Sequence, residues 1–468
     1  MDLIADLQAA LGAAQVLTGA DAARKAQDPT GKYRWQPLAL VRPADTAEVA
    51  AVLRLAGAAG VAVVPVSGNT GLAGGTNAEG AIMLSLERLN RIREIRPEAR
   101  VVVAEAGVVL SRLHEAADGH GLYFPLWFGA RGSAMVGGVL STNAGGSNVL
   151  RYGNTRALCL GLEVVLADGR VMNLMGALHK DNSGLDLKDL FIGAEGTLGV
   201  ITAAVLKLVP KPAAYATAMV AVPSLPAALD LLNRLQSATG GAVEAFEYMP
   251  RSYMDRYAVC NPKARPPFAE PHEVTILVEV GATAPRDATP GPDGTTPVVA
   301  LLETTLEAML AEGLVLDALV ARTGAQRAEM WTRRESAAAI TFTRQPLVDN
   351  DIAVPLDKVE TFVRRMEQRL PQIDPGAESI TVAHLGDGNL HYTVWPTSGD
   401  AVLHDRVREA VEDVVADLGG SFSAEHGVGT SKLTTMTRRK DPVALDVMRA
   451  IKAALDPQGL LNPGKVIP

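Results

Sequence analysis

An α+β chain in two parts is what this 468-residue sequence predicts, on three observations. The first half strings short apolar strand segments between glycine-rich loops, with few helical patterns among them. The second half alternates β-branched runs with amphipathic helical stretches, the pattern of an antiparallel sheet covered by helices. The texture changes after Val209-Pro-Lys-Pro212, which marks the division.

Taken in order, residues 1–35 read as a helix and a polar connector, and residues 36–212 as the first domain. In it, Thr46 is positioned to cap a helix through Glu48–Ala56, and Val61–Val66 follows as a buried strand, a βαβ-like unit that ends in a glycine loop. Further strands are expected at Ala81–Ser85, Val101–Glu105, Leu160–Leu166 and Gly199–Leu208. The second domain, residues 213–440, has strand patterns at Tyr215–Val222, Glu273–Val280 and Ile352–Val354. Helical patterns lie between them at Leu225–Gln236, Val298–Ala311, Asp357–Arg369 and Val402–Leu418. Asn261–Pro267 and Ala284–Pro297 read as loops. Residues 441–468, with a helix at Pro442–Leu455 and a turn-rich finish, form a C-terminal segment expected to return to the first domain.

Composition removes several function classes. Hydrophobic residues at 48% and charged ones at 21% suit a globular enzyme. A net charge of −8 without any Lys or Arg run argues against nucleic acid. Cys159 and Cys260, the only 2 cysteines, allow neither a disulfide framework nor an iron–sulfur cluster within the chain. The N-terminus is acidic and amphipathic, unlike a secretory signal. No apolar run reaches membrane-spanning length, because Gly and Pro interrupt Leu53–Val66, so no membrane span is expected and a cytoplasmic location is.

Three loops then suggest a phosphate-bearing ligand. Pro65-Val-Ser-Gly-Asn-Thr-Gly-Leu-Ala-Gly-Gly75 follows a strand and can converge backbone N–H groups on an anion, or can serve structure alone. It lacks the Gly-Lys-Ser/Thr ending of a nucleoside-triphosphate loop, and no Rossmann-type helix follows. Gly132-Ser-Ala-Met-Val-Gly-Gly-Val-Leu-Ser-Thr-Asn-Ala-Gly-Gly146 and Gly193-Ala-Glu-Gly-Thr-Leu-Gly-Val-Ile-Thr202 have the same small-residue character. Together the three suit the lining of a long dinucleotide.

Two further motifs carry chemistry. His384-Leu-Gly-Asp-Gly-Asn-Leu-His391 lies between β-branched flanks, so a hairpin with its loop at Gly386–Asn389 is expected. That register would set Leu385 opposite Leu390 and His384 opposite His391, with Cβ atoms roughly 5 Å apart. The imidazoles could then share a metal ion or form a stacked surface pair. In Ser421-Phe-Ser-Ala-Glu-His-Gly-Val-Gly-Thr430, Glu425 and His426 would face opposite ways on a regular strand. Both serve one site only if the strand ends there, which Gly427 and Gly429 allow.

These loops and motifs, with Arg151-Tyr-Gly153, the run Lys180–Gly199 and Leu461-Asn-Pro-Gly-Lys465, occur in the order of a known family. From about residue 36 to the C-terminus the chain resembles the FAD-dependent D-2-hydroxyacid dehydrogenases of the vanillyl-alcohol-oxidase/p-cresol-methylhydroxylase fold. That group contains D-2-hydroxyglutarate and D-lactate dehydrogenases and the glycolate oxidase flavin subunit. The resemblance implies a two-part FAD-binding domain and a substrate domain. It implies non-covalent FAD lined by Pro65, Ser67, Gly68, Asn69, Thr70, Gly71, Gly74, Gly75, Gly132, Ser133, Gly137, Gly138, Thr142, Asn143, Gly145, Glu195, Val200, Ile201 and Asn462. It further implies a divalent metal, zinc or manganese, on His384, His391 and Glu425, with His426 as general base. Arg334, in Trp331-Thr-Arg-Arg-Glu335, would bind the substrate carboxylate, with Arg333 as its rival.

The implied reaction is oxidation of a D-2-hydroxyacid to the 2-oxoacid by hydride transfer to flavin N5. Electrons would pass on to a quinone, an electron-transfer flavoprotein or oxygen, and the family is commonly homodimeric. Two positions depart from the family. Asp349 stands where several relatives carry a lysine, and Ala338 where a hydroxyl residue is expected. Both would touch a second substrate carboxylate, so a monocarboxylate is expected instead. The alternatives are a non-catalytic flavin-binding subunit of a multi-chain oxidase and a metal-independent alcohol oxidase.

Overall fold

The computed structural model describes residues 2–468. They fold in two units. The first holds the chain up to Gly145 with Gly153–Pro210 and Glu425–Pro468, and the second holds Gly146–Tyr152 and Lys211–Ala424. Residues 425–440 thus fold with the first unit. Residues 146–152 fold with the second because Arg151 and Tyr152 both donate to the buried carboxylate of Glu244, at 2.8 and 2.6 Å.

In the first unit, strands Ala39–Val41 and Val63–Val66 flank Ile82–Ser85 and pair with it in parallel. The helix joining them, Thr46–Ala59, buries Val49, Val52, Leu53 and Ala56 along one stripe and stops at Gly60, whose φ of 66° ends the helical twist. Its cap is Asp45 rather than Thr46. The Asp45 carboxylate accepts the Glu48 N–H, while the Thr46 hydroxyl is drawn away to donate to Glu163 at 2.6 Å. A second, five-stranded antiparallel sheet runs in the order Ile92–Arg96, Val101–Glu105, Val200–Lys207, Cys159–Val165, Val171–Leu174.

The second unit is built on a seven-stranded antiparallel sheet. Its order is Asp317–Val320, Ala214–Val222, Val274–Ala282, Val243–Pro250, Glu378–His384, Asn389–Trp395, Val348–Ala353. Helices Leu225–Thr239, Pro297–Ala311, Val359–Ile373 and Ala401–Asp417 cover one face, over a core that includes Phe246, Leu390, Tyr392 and Ile352. The other face carries a smaller apolar patch, Met249, Leu277, Val382 and Trp395, against Tyr253 and Met330 of helices Arg251–Cys260 and Gly324–Glu335. Strand alternation places Glu247, Asp351, His384 and His391 on this second face.

Two elements that shape this face have no clear signal in the sequence. Val243–Pro250 reads as polar because of two glutamates and a terminal proline, yet Glu244 and Glu247 are both buried. Gly324–Glu335 lacks an apolar stripe and is set by a capping box between Thr323 and Gln326.

Candidate active site

The histidine hairpin forms in a different register from the expected one. The turn is Leu385–Gly388, His384 pairs with Asn389, and His391 lies opposite Val382. The first strand ends one residue earlier, at His384, and the second begins one residue earlier, at Asn389, which is bonded into the ladder while its side chain donates to Asp351 at 2.9 Å. The histidines remain on one face as diagonal neighbours, their ring centroids 5.5 Å apart and nearly perpendicular. Each Nδ1 faces a carboxylate. His384 lies 2.9 Å from Glu247 and His391 lies 4.0 Å from Asp351.

Neither Glu247 nor Asp351 stands in a motif that marks it in the sequence, although Asp351 lies two residues after Asp349. Glu247 is enclosed. Burial works against its charge, but His384 and Arg334 on either side prevail and hold its carboxyl below the ordinary range. Arg334 Nε sits 2.8 Å from Glu247, off the hydrogen-bond direction, and its Nη2 is buried with no hydrogen-bond partner. Arg333 is otherwise occupied: its Nη2 donates to the Arg265 carbonyl at 2.7 Å and its guanidinium lies over Tyr257. Asp349 is exposed and accepts from the Thr393 hydroxyl, and Ala338 is exposed.

The dinucleotide-lining candidates all fall in the first unit. Ser67, Gly68, Asn69, Thr70, Gly71, Gly74 and Gly75 form one loop after the strand Val63–Val66, whose edge includes Pro65. Gly132, Ser133, Gly137, Gly138, Thr142, Asn143 and Gly145 lie in and around the short helix Val136–Ser141. Glu195 precedes Val200 and Ile201, which are buried in a strand. A side chain at Gly68 would place Cβ 2.2 Å from the Ser133 carbonyl, so the first two loops meet backbone to backbone there. Asn69, Asn143 and Glu195 all adopt a left-handed φ of 50°.

Asn462 ties two of these loops, donating to the carbonyls of Gly75 and Glu195 at 3.0 and 2.7 Å. In the same unit the backbone from Glu425 is irregular, so adjacent Glu425 and His426 approach each other, Oε1 to Nε2 at 3.8 Å. Hence His384 and His391 are brought together in one unit, and Glu425 and His426 in the other.

Family models match both regions: the C-terminal domain of FAD linked oxidases over residues 211–466, and an FAD binding domain over residues 37–175. The chain belongs to the FAD-linked oxidase family. Among relatives of this FAD-linked oxidase, a D-2-hydroxyglutarate dehydrogenase of Xanthomonas citri pv. viticola is 35% identical over 99% of this chain and 96% of its own. The mitochondrial D-2-hydroxyglutarate dehydrogenase of Bos taurus is 37% identical over 92% and 76%. Among solved structures, p-cresol methylhydroxylase superposes with a TM-score of 0.73 at 15% identity, covering 99% of this chain and 96% of that one. The fold is therefore of the vanillyl-alcohol-oxidase/p-cresol-methylhydroxylase type, and the FAD-linked oxidase is an FAD-dependent oxidoreductase.

Its residues fit FAD. A Cβ at Gly71 or Gly132 would meet nothing within 4 Å, so the loops leave room beside their backbone. Asn462 Oδ1 is buried without a hydrogen-bond donor, an acceptor for a polar ligand group. The hairpin likewise fits a divalent metal in its chemistry. Imidazoles whose Nδ1 atoms face carboxylates keep Nε2 as the ligand atom and are held in orientation. No helix among the described residues is long and apolar enough to cross a membrane.

Proposed function

We propose that this FAD-linked oxidase oxidises a D-2-hydroxyacid to the 2-oxoacid. The observation that carries the reading is the row Arg334–Glu247–His384 on one sheet face, with Arg334 Nη2 buried and unpartnered. A guanidinium group with an unused donor in an enclosed setting suits a carboxylate, which planar bidentate pairing would hold. Arg334, not Arg333, takes that role. His426 accepts the proton of the substrate hydroxyl. FAD, when bound, supplies a two-electron acceptor for the hydride of the α carbon. His384, His391 and Glu425 would hold zinc or manganese, which supplies Lewis-acid stabilisation of the hydroxyl oxygen. Asp351 beside His391, and Glu247 beside His384, keep the imidazoles oriented.

The substrate is a monocarboxylate. Exposed Asp349 offers a second carboxylate no cation, and Ala338 offers it no hydroxyl. Both lie in the unit that carries Arg334. Re-oxidation would fall to a quinone, an electron-transfer flavoprotein or oxygen, and exposing the bleached protein to each in turn identifies which.

The test is anaerobic bleaching of the flavin by D-2-hydroxyacids of varied side chain. Bleaching by D-lactate-type substrates, slowed about 10²- to 10⁴-fold in His426→Ala, is the expected result. Bleaching by none of them sinks the reading, and faster bleaching by D-2-hydroxyglutarate sinks the monocarboxylate assignment alone. Loss of turnover on chelation, restored by zinc or manganese, checks the metal.

A further inference from the structure

Glu195 belongs to the third glycine-rich loop, yet its carboxylate is engaged elsewhere. It accepts the backbone N–H groups of Val428, at 2.7 Å, and Gly429, at 3.0 Å, the second and third residues after His426. The turn is shaped to receive it. Gly427 has φ 77°, and a Cβ there would lie 2.6 Å from Glu195 Oε1, so a side chain at this position would displace the carboxylate.

The same carboxylate lies against the first loop, since a Cβ at Gly75 would come 3.0 Å from Glu195 Oε2. Backbone bonds reinforce the junction. Thr430 and Ser431 N–H groups donate to the Ala73 carbonyl at 3.0 and 3.1 Å, and the Glu195 N–H donates to the Ser141 carbonyl of the second loop at 2.8 Å. Three loops and the turn behind the Glu425-His426 doublet therefore converge on one residue, all within the first unit. An enclosed carboxylate bonded to two amides is a rigid brace, because breaking it would leave a buried charge without donors.

We propose that Glu195 is a positioning residue that locks the Glu425-His426 doublet to the cofactor-lining loops, so that the base is placed by the same element that shapes the FAD site. This rests on His426 being the base. The geometry argues against a role in simply lining the cofactor, because both carboxylate oxygens are turned to the Val428–Gly429 backbone.

The experiment compares Glu195→Gln with wild type in FAD-loaded protein. Single-turnover bleaching at saturating substrate is expected to slow about 100-fold, the scale of an ångström-sized misplacement, while KM and the Kd for FAD, read by flavin fluorescence quenching, stay near wild type. Amide hydrogen exchange over residues 427–430 should quicken, a readout independent of turnover. A raised Kd for FAD with wild-type bleaching at saturation would make Glu195 a cofactor contact and overturn the proposal, as would wild-type behaviour throughout. Should Glu195→Gln fail to fold, Gly427→Ala attacks the same contact from the other side and must show the same slowed bleaching and faster exchange. Wild-type bleaching in Gly427→Ala would equally overturn it. Failure of the hydroxyacid reading is separate, because it appears as no bleaching of the wild type by any D-2-hydroxyacid, and failure of the base assignment as unaltered bleaching in His426→Ala.

Discussion

Two enclosed glutamates, one in each unit, are satisfied in opposite ways. Glu195 is met by the backbone amides of a glycine turn, and with no cation as its main partner, burial raises its pKa. Glu247 is the more deeply buried but lies between the His384 ring and the Arg334 guanidinium, and its pKa is lowered despite burial. The difference separates two design tasks. A carboxylate held by amides fixes the path of a chain, and so suits a loop-built unit that must shape itself around a large cofactor. One held by charged side chains fixes those side chains, and so suits a sheet face that holds an imidazole and a guanidinium in set directions.

The sharpest way to break this contrast is Glu247→Ala, which leaves Arg334 and His384 without their shared carboxylate. A loss of about 3–5 kcal/mol in urea unfolding of the protein is expected. Stability within error of wild type would mean that the charges do not depend on Glu247. Arg334→Ala should spare stability by comparison and raise KM for the 2-hydroxyacid about 10- to 100-fold, the loss of a charged hydrogen bond of about 1.5–3 kcal/mol. Unchanged KM would hand the carboxylate to another residue. Asp351→Asn removes the carboxylate facing His391 and should weaken zinc binding about 10- to 100-fold in competition with a chelating dye. Equal metal affinity would remove Asp351 from the site.

The smallest effect belongs to the first unit and needs no charged partner. His114 stacks on Trp127, and burial pushes its imidazole pKa from 6.5 down to about 4. The unfolded chain therefore takes up the proton first as pH falls. Stability should decline between about pH 6.5 and pH 4, and His114→Gln should flatten the melting temperature across that window. A wild-type slope in that variant would place the titration elsewhere.

Much of the first unit was legible because its signals are local. The glycine loops, the apolar strands Val63–Val66 and Val101–Glu105, and the helix from Thr46 depend on residues a few positions apart. The second unit was legible where periodicity is strong, as at Leu225–Thr239 and Ala401–Asp417. It was opaque at Val243–Pro250, a central strand whose glutamates only make sense once their cations have folded against them. The hairpin was read as a hairpin, but not its register, in which Asn389 pairs with His384 while its side chain bonds to Asp351, 38 positions away.

By itself, then, the sequence determined which chemical groups are available: two imidazoles on one hairpin, an acidic–basic doublet followed by glycines, and small-residue loops able to approach a dinucleotide. These follow from residue type and short spacing, which local sterics and turn geometry decide. Only the tertiary structure decided their partners. That Glu195 braces the turn behind His426 and that Glu247 joins Arg334 to His384 are pairings across 233 and 137 positions. Such pairings are selected because a buried charge must find its donors wherever the fold brings them, and no local pattern encodes that search.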